Sequence, residues 1–148
     1  MTNSSAIDAA KPTLTVDVLI PNKDGDVLVI RRGHTPYQGM WCWPGGMVDP
    51  GETVESAGIR EVKEETGLTV EIQRVFGIYS VLGRDPRGHY ISITLLAHPV
   101  AEDPQVTDEA TDWKWAAPDE KMEMAFDHAH IRADYERLKD GGHDVVLA

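Results

Sequence analysis

Basic side chains are scarce in this chain. Only 14 Lys and Arg stand against 25 Asp and Glu among 148 residues, a formal net charge of −11. Nucleic-acid binding draws most of its affinity from clustered cations meeting phosphates, so no nucleic-acid partner is expected. An acidic chain that handles phosphates needs metal cations to bridge them. Cysteine is nearly absent as well, since Cys42 is the only one. That excludes an intrachain disulfide and gives no support to a thiolate zinc site or a secreted disulfide scaffold; the cytoplasm is the simplest compartment. No run approaches the roughly 18–20 apolar residues of a membrane span, so no membrane partner is expected. The opening MTNSSAIDAAKPT has neither a basic n-region nor an apolar h-region, and no internal repeat or low-complexity tract occurs.

What is present suits one compact domain, with 41% hydrophobic residues. The expected division is a polar lead-in over 1–12, a domain over 13–140 and a tail over 141–148. Leu14 to Ile20, LTVDVLI, alternates and is β-branched; after the turn residues PNKDGD, VLVIRR completes an expected β-hairpin. GHTPYQGMWCWPGG is loop with a short strand near Met40 to Trp43. Thr53 to Thr66 has helical spacing and ends at Gly67, a good C′ residue. Two strands flank the turn GRDPRG, a short strand DWKWA follows, and a helix runs from about Asp127, a candidate N-cap, to Leu138. For the tail DGGHDVVLA the sequence leaves a docking strand and a disordered end equally open. Strands dominate and the helices do not alternate with them regularly, so the fold class is α+β with a mixed sheet packed between helices.

The first helix poses an electrostatic problem. In REVKEETG, residues 60–67, Glu61, Glu64 and Glu65 sit near the helix C-terminus, where each anion is disfavoured by roughly 0.3–1 kcal/mol. At about 100° per residue the three fall on the azimuth of Val54, Ala57 and Gly58, with Ser56 and Lys63 opposite. A solvent-washed helix laced by Arg60 and Glu64 accounts for part of this pattern but not for the inward aim. Converging carboxylates withdrawn from water repel one another unless a cation sits among them, and hard oxygen donors suit Mg²⁺ or Mn²⁺. The preceding WPGGMVDPGET lets the backbone turn tightly at Gly45, Gly46 and Gly51.

Gly46, five residues, Glu52, seven residues, then REVKEETGL match the signature G-x5-E-x7-R-E-U-x-E-E-x-G-U, in which the aliphatic U is Val62 and Leu68. In this the chain resembles the Nudix hydrolases. The resemblance implies a mixed sheet between helices, and cleavage of a nucleoside diphosphate linked to another moiety, by water attacking phosphorus with Mg²⁺ or Mn²⁺. By the same resemblance Glu61, Glu64 and Glu65 are metal-binding carboxylates, with the Gly46 carbonyl an additional ligand. Glu52 and Arg60 brace loop against helix. Water is activated by Glu61 or Glu64, or by a later loop whose candidates are Glu102, Asp108 and Glu109; the sequence does not choose between them.

GRDPRGH, residues 83–89, and AFDHAHI, residues 125–131, are similar to the ADP-ribose pyrophosphatase branch. That resemblance implies Arg84 and Arg87 binding phosphate or the terminal ribose; His89 on the same loop and Arg32 are further substrate-binding candidates, and Trp41 and Trp43, next to the motif, are open to stacking on a base or, for at least one of them, to buried packing. The chain departs from that branch at Leu82, where a proline is common. His128 and His130 are two apart on a helix, do not share a face, and read as structural. Two other activities remain open: a (d)NTP pyrophosphohydrolase clearing damaged nucleotides, and a non-catalytic nucleotide-sugar sensor. A homodimer is a further expectation from the family.

Overall fold

The computed structural model describes residues 11–148; most of the lead-in expected over 1–12 lies outside the described residues. Within them the order is β1 (Thr13–Leu19), β2 (Val27–Arg32), β3 (Trp41–Cys42), β4 (Gly45–Met47), α1 (Val54–Thr66), β5 (Thr69–Tyr79), β6 (Tyr90–Ala101), β7 (Ala110–Ala116), α2 (His128–Leu138) and β8 (Val146–Leu147). The strands form a five-stranded sheet, β4-β1-β6-β5-β8, and a three-stranded one, β3-β2-β7. The larger sheet is mixed, because β1 runs parallel to β6 and antiparallel to β4, while β5 is antiparallel to β6. The tail supplies β8, which pairs in parallel with Gly77 and Ile78. No helix among the described residues is long and apolar enough to cross a membrane.

β1 and β2 bury side chains on both faces. Val18 of β1 and Ile20 just past its end pack in a cluster with Val62 of α1, while the intervening Leu19 packs with Ile131 and Tyr135 of α2. The period-two alternation of a strand thus places the two helices on opposite sides of the sheet.

The expected hairpin of β1 with β2 is not formed. Asn22 organises the turn by accepting the N–H groups of Asp24 and Asp26, and Pro21 and Val27 keep an isolated antiparallel bridge. Beyond it the strands diverge into different sheets, because β4 and β6 already occupy the two edges of β1.

Helix α1, which carries the glutamates, is capped at both ends. Thr53 Oγ1 accepts the Ser56 N–H at 3.1 Å, and Gly67, at φ 76°, donates its N–H to the Lys63 carbonyl. Asp127 occupies the N-cap position of α2, yet makes no side-chain cap bond; its carboxylate is held instead by the Arg84 guanidinium at 2.6 and 2.9 Å. Replacing Thr53 with Ala removes one cap without touching the core. It is expected to lower the unfolding free energy by about 1 kcal/mol, with an unchanged m-value in denaturant titrations.

Candidate active site

The loop before α1 and the helix itself are fastened by one guanidinium. Arg60 donates to Glu52 from Nε at 2.9 Å and from Nη2 at 2.6 Å, to Glu61 at 2.9 Å, to both oxygens of Glu64 at 3.3 Å and to the Met47 carbonyl at 3.0 Å. Glu52 also accepts the Asp49 N–H. The Arg60 bonds first, and then this backbone bond, hold its carboxyl down at about 2. The bracing pair read from the sequence is therefore present.

Of the three glutamates, Glu61 and Glu65 turn inward and Glu64 does not. The buried face of α1 centres on Ala57, Gly58, Val62 and Thr66, which leaves Glu64 at its margin with 45% of its side chain exposed, against 13% for Glu61. Glu65 Oε1 accepts the Gly45 N–H at 2.8 Å. Glu61 packs on Gly46 so closely that a Cβ there would lie 2.5 Å from its carboxyl carbon, so any side chain at that position displaces the Glu61 carboxylate. Burial pushes the Glu61 carboxyl up to about 7, against the Arg60 bonds that lower it, and raises Glu65 well above the usual range. Two withdrawn carboxylates this close favour their neutral forms unless a cation joins them.

The loop before β7 completes the cluster. Glu61, Glu64 and Glu109 each bring a carboxylate oxygen to within 4.8 Å of the other two. This set differs from the expected Glu61, Glu64 and Glu65, since Glu65 is anchored on Gly45 while Glu109 arrives from a segment that sequence reading placed among alternative bases. Three hard oxygen donors with open space beside them fit Mg²⁺ or Mn²⁺. That space is a cleft of about 480 Å³ bordered by Arg32, Gly46, Glu61, Glu65, Arg87 and Asp108, among others.

The remaining expected residues divide. Arg32 and Arg87 border the cleft, with Arg87 also paired to Asp85 at 2.8 Å. Arg84 is buried, 5% exposed, between Asp127 at 2.6 Å and Asp17 at 3.9 Å, so its donors fasten the fold instead of reaching the cleft. Trp41 is a core residue flanked by Arg31 and Lys114. His89 faces the Ser80 carbonyl, and Glu102 is tied to Lys63 and Thr69. Neither these two nor Trp41 borders the cleft. His128 is structural, as expected: it accepts the Trp43 N–H at Nδ1, 3.1 Å away, and approaches buried Asp17 at 3.4 Å. Asp17 itself was missed, although a charge inside the apolar run LTVDVLI was a visible signal. Burial opposes its ionisation, but His128, Ser92 and Arg84 together hold its pKa below the usual value.

Because Gly46 seats the Glu61 carboxylate, Gly46→Ala is expected to weaken divalent-cation binding by about 10–100-fold. A Mn²⁺ titration of the variant against wild type reads this directly.

A family model described as the NUDIX domain matches residues 11–135. An ADP-ribose pyrophosphatase of Methanocaldococcus jannaschii is 41% identical over 130 residues, covering 88% of this chain and 76% of that protein. Among solved structures, an ADP-ribose pyrophosphatase from Streptococcus suis superposes with a TM-score of 0.77 at 24% identity, covering 93% of this chain and 100% of the other. The NUDIX domain of Shewanella oneidensis NrtR complexed with ADP ribose does so at 0.73 and 24% identity, covering 93% and 98%. The match in sequence, and the glutamate helix set between a mixed sheet and a cleft, place this chain in the Nudix hydrolase family.

Proposed function

We propose that this Nudix hydrolase cleaves ADP-ribose to AMP and ribose 5-phosphate, with Mg²⁺ or Mn²⁺ held by Glu61, Glu64 and Glu109. The observation that carries the reading is the convergence of those three carboxylates at a cleft that also presents Arg32 and Arg87. The likeness to the Methanocaldococcus jannaschii ADP-ribose pyrophosphatase supports the choice of substrate.

When bound, the cation supplies neutralisation of the diphosphate and acidification of a water molecule. The chain's own residues do the positioning. Arg60 fixes the orientation of Glu61 and Glu64 relative to the Gly46 backbone. Arg32 and Arg87 offer donors that suit the diphosphate oxyanions. In the reaction one water oxygen bonds to phosphorus, the bridging P–O bond breaks, and the departing phosphate keeps the bridging oxygen. The proton of the attacking water goes to a carboxylate of the cleft. Glu102, engaged by Lys63 and Thr69, is too committed to serve, which leaves Glu61, Asp108 and Glu109 on the cleft wall and Glu64 beside them. We place the protein in the cytoplasm, where its single buried cysteine needs no partner. We also propose a homodimer, for which the exposed Val81, Leu82 and Leu147 offer apolar surface; a monomer mass in sedimentation at micromolar concentration refutes it.

Chromatography of ADP-ribose incubated with the protein and Mg²⁺ is expected to yield AMP and ribose 5-phosphate, and no product with chelator. Glu64→Gln is expected to lower kcat/KM on the order of 10²–10³-fold while the far-ultraviolet circular dichroism persists. A variant at full rate, or wild type inert toward ADP-ribose, refutes the assignment.

A second expectation concerns pH. The Glu61 carboxyl rises from its ordinary 4.5 to about 7 on folding, so between those values the folded metal-free chain binds more protons than the unfolded chain. Stability therefore falls as pH rises through that window. Thermal melts with chelator should show wild type losing more between pH 5 and pH 8 than Glu61→Gln loses. Added Mg²⁺ should restore most of the wild-type loss, because it favours the ionised form.

A further inference from the structure

In the loop between β6 and β7, the run PQVTDEA at residues 104–110 sets a threonine directly before two acids. Threonine hydroxyls bond backbone N–H groups a few residues on, and Thr107 does so twice. Its Oγ1 accepts the Glu109 N–H at 3.2 Å and the Ala110 N–H at 3.3 Å. The Thr107 N–H in turn donates to the Ala110 carbonyl at 3.2 Å. One residue thus closes the turn that presents Asp108 and Glu109 to the cleft.

A hydroxyl also has a proton to give. Thr107 donates it to the Glu65 carbonyl at 3.0 Å, in the last turn of α1, where carbonyls lack intrahelical partners. The neighbouring Thr66 carbonyl accepts the Gln105 N–H at 2.8 Å, and the Gln105 side chain lies over Gly67, in space that a Cβ there would invade. Farther back, Glu102 accepts from Lys63 at 3.1 Å and from Thr69 at 2.7 Å. The loop therefore supplies the donors that the end of the helix needs.

Glu109 needs such a tether. Its side chain is exposed, yet its carboxylate lies within 4.8 Å of those of Glu61 and Glu64, and like charges at that range push an unrestrained loop away from the helix. On its other side the turn rests on Gly33, where a Cβ would lie 3.3 Å from the Glu109 carbonyl oxygen. Of the loop residues tied to α1, Thr107 is the one that also bonds the Glu109 backbone.

We infer that Thr107 is a positioning residue, whose hydroxyl fastens the Glu109 backbone to the carbonyl end of α1 and so brings the Glu109 carboxylate to the cation held by Glu61 and Glu64. The inference rests on the reading above that these three glutamates share that cation. Serine can make the same three bonds, whereas valine has the shape of threonine and makes none of them. A loop seated only part of the time binds the ion more weakly in proportion to the seated fraction.

The test is a Mn²⁺ titration without substrate, read by the electron paramagnetic resonance of the free ion, on wild type, Thr107→Val, Thr107→Ser, Glu109→Gln and the Thr107→Val, Glu109→Gln double variant. Thr107→Val is expected to weaken binding about 10-fold, and Thr107→Ser to stay within about 2-fold of wild type. In the Glu109→Gln background Thr107→Val should cost nothing further, because it acts through Glu109. Wild-type affinity in Thr107→Val overturns the inference. So does a loss in Thr107→Ser equal to that in Thr107→Val, or an undiminished Thr107→Val penalty in the Glu109→Gln background; either marks a purely structural role. A second measurement needs no variant: in wild type with chelator, exchange of the Glu109 and Ala110 amide protons should be slowed at least about 10-fold, and exchange at the free-chain rate overturns the inference. Wild-type affinity in Glu109→Gln instead refutes the shared cation, and the inference with it. Failure to hydrolyse ADP-ribose discards the substrate reading alone.

Discussion

The guanidinium of Arg60 is the fastening on which the site depends. One planar group with five donors meets Glu52 from the loop, Glu61 and Glu64 from the helix, and the Met47 carbonyl from the end of β4. Without it the loop and helix would present like charges to each other across a few ångströms. With it the helix carries glutamates near its C-terminus in spite of its dipole. Arg60 reaches only part of that charge, however. Glu65 lies beyond its bonds, and burial still lifts Glu61 and Glu65, so the cluster remains short of positive charge in the direction of the cleft.

The rest of the fold brings the pieces of that cluster together. β4 runs against β1 and carries Gly46, whose missing side chain leaves room for the Glu61 carboxylate. The loop entering β7 brings Glu109 from well beyond α1 in the sequence. Behind them the buried Asp17, His128 and Arg84 form a charge-balanced block tying β1, the β5–β6 loop and α2 together.

How much of this was legible in the sequence depended on range. The α1 helix and its Gly67 terminus were readable because spacing along one helix fixes them, and the Arg60 to Glu52 brace because the motif resembles that of the Nudix hydrolases. The β5 and β6 strands were readable from alternation around a polar turn. The pairing of β1 with β4 and β6 was not, since local turn chemistry at PNKDGD favours a hairpin while both edges of β1 are claimed by distant strands. For the same reason Glu109 ranked only as an alternative, and Arg84, His89 and Trp41 were placed at the substrate. Each has a partner elsewhere in the chain, Asp127, the Ser80 carbonyl, and the Arg31 and Lys114 pair, that spacing alone does not reveal.

We propose above all that the carboxylates of α1 and the β7 loop share a divalent cation. Anomalous diffraction at the manganese edge, from crystals grown with Mn²⁺, tests it most directly. A peak within coordination distance of Glu61, Glu64 and Glu109 is expected. Manganese bound elsewhere, or density at this cluster explained by water alone at saturating Mn²⁺, would contradict it.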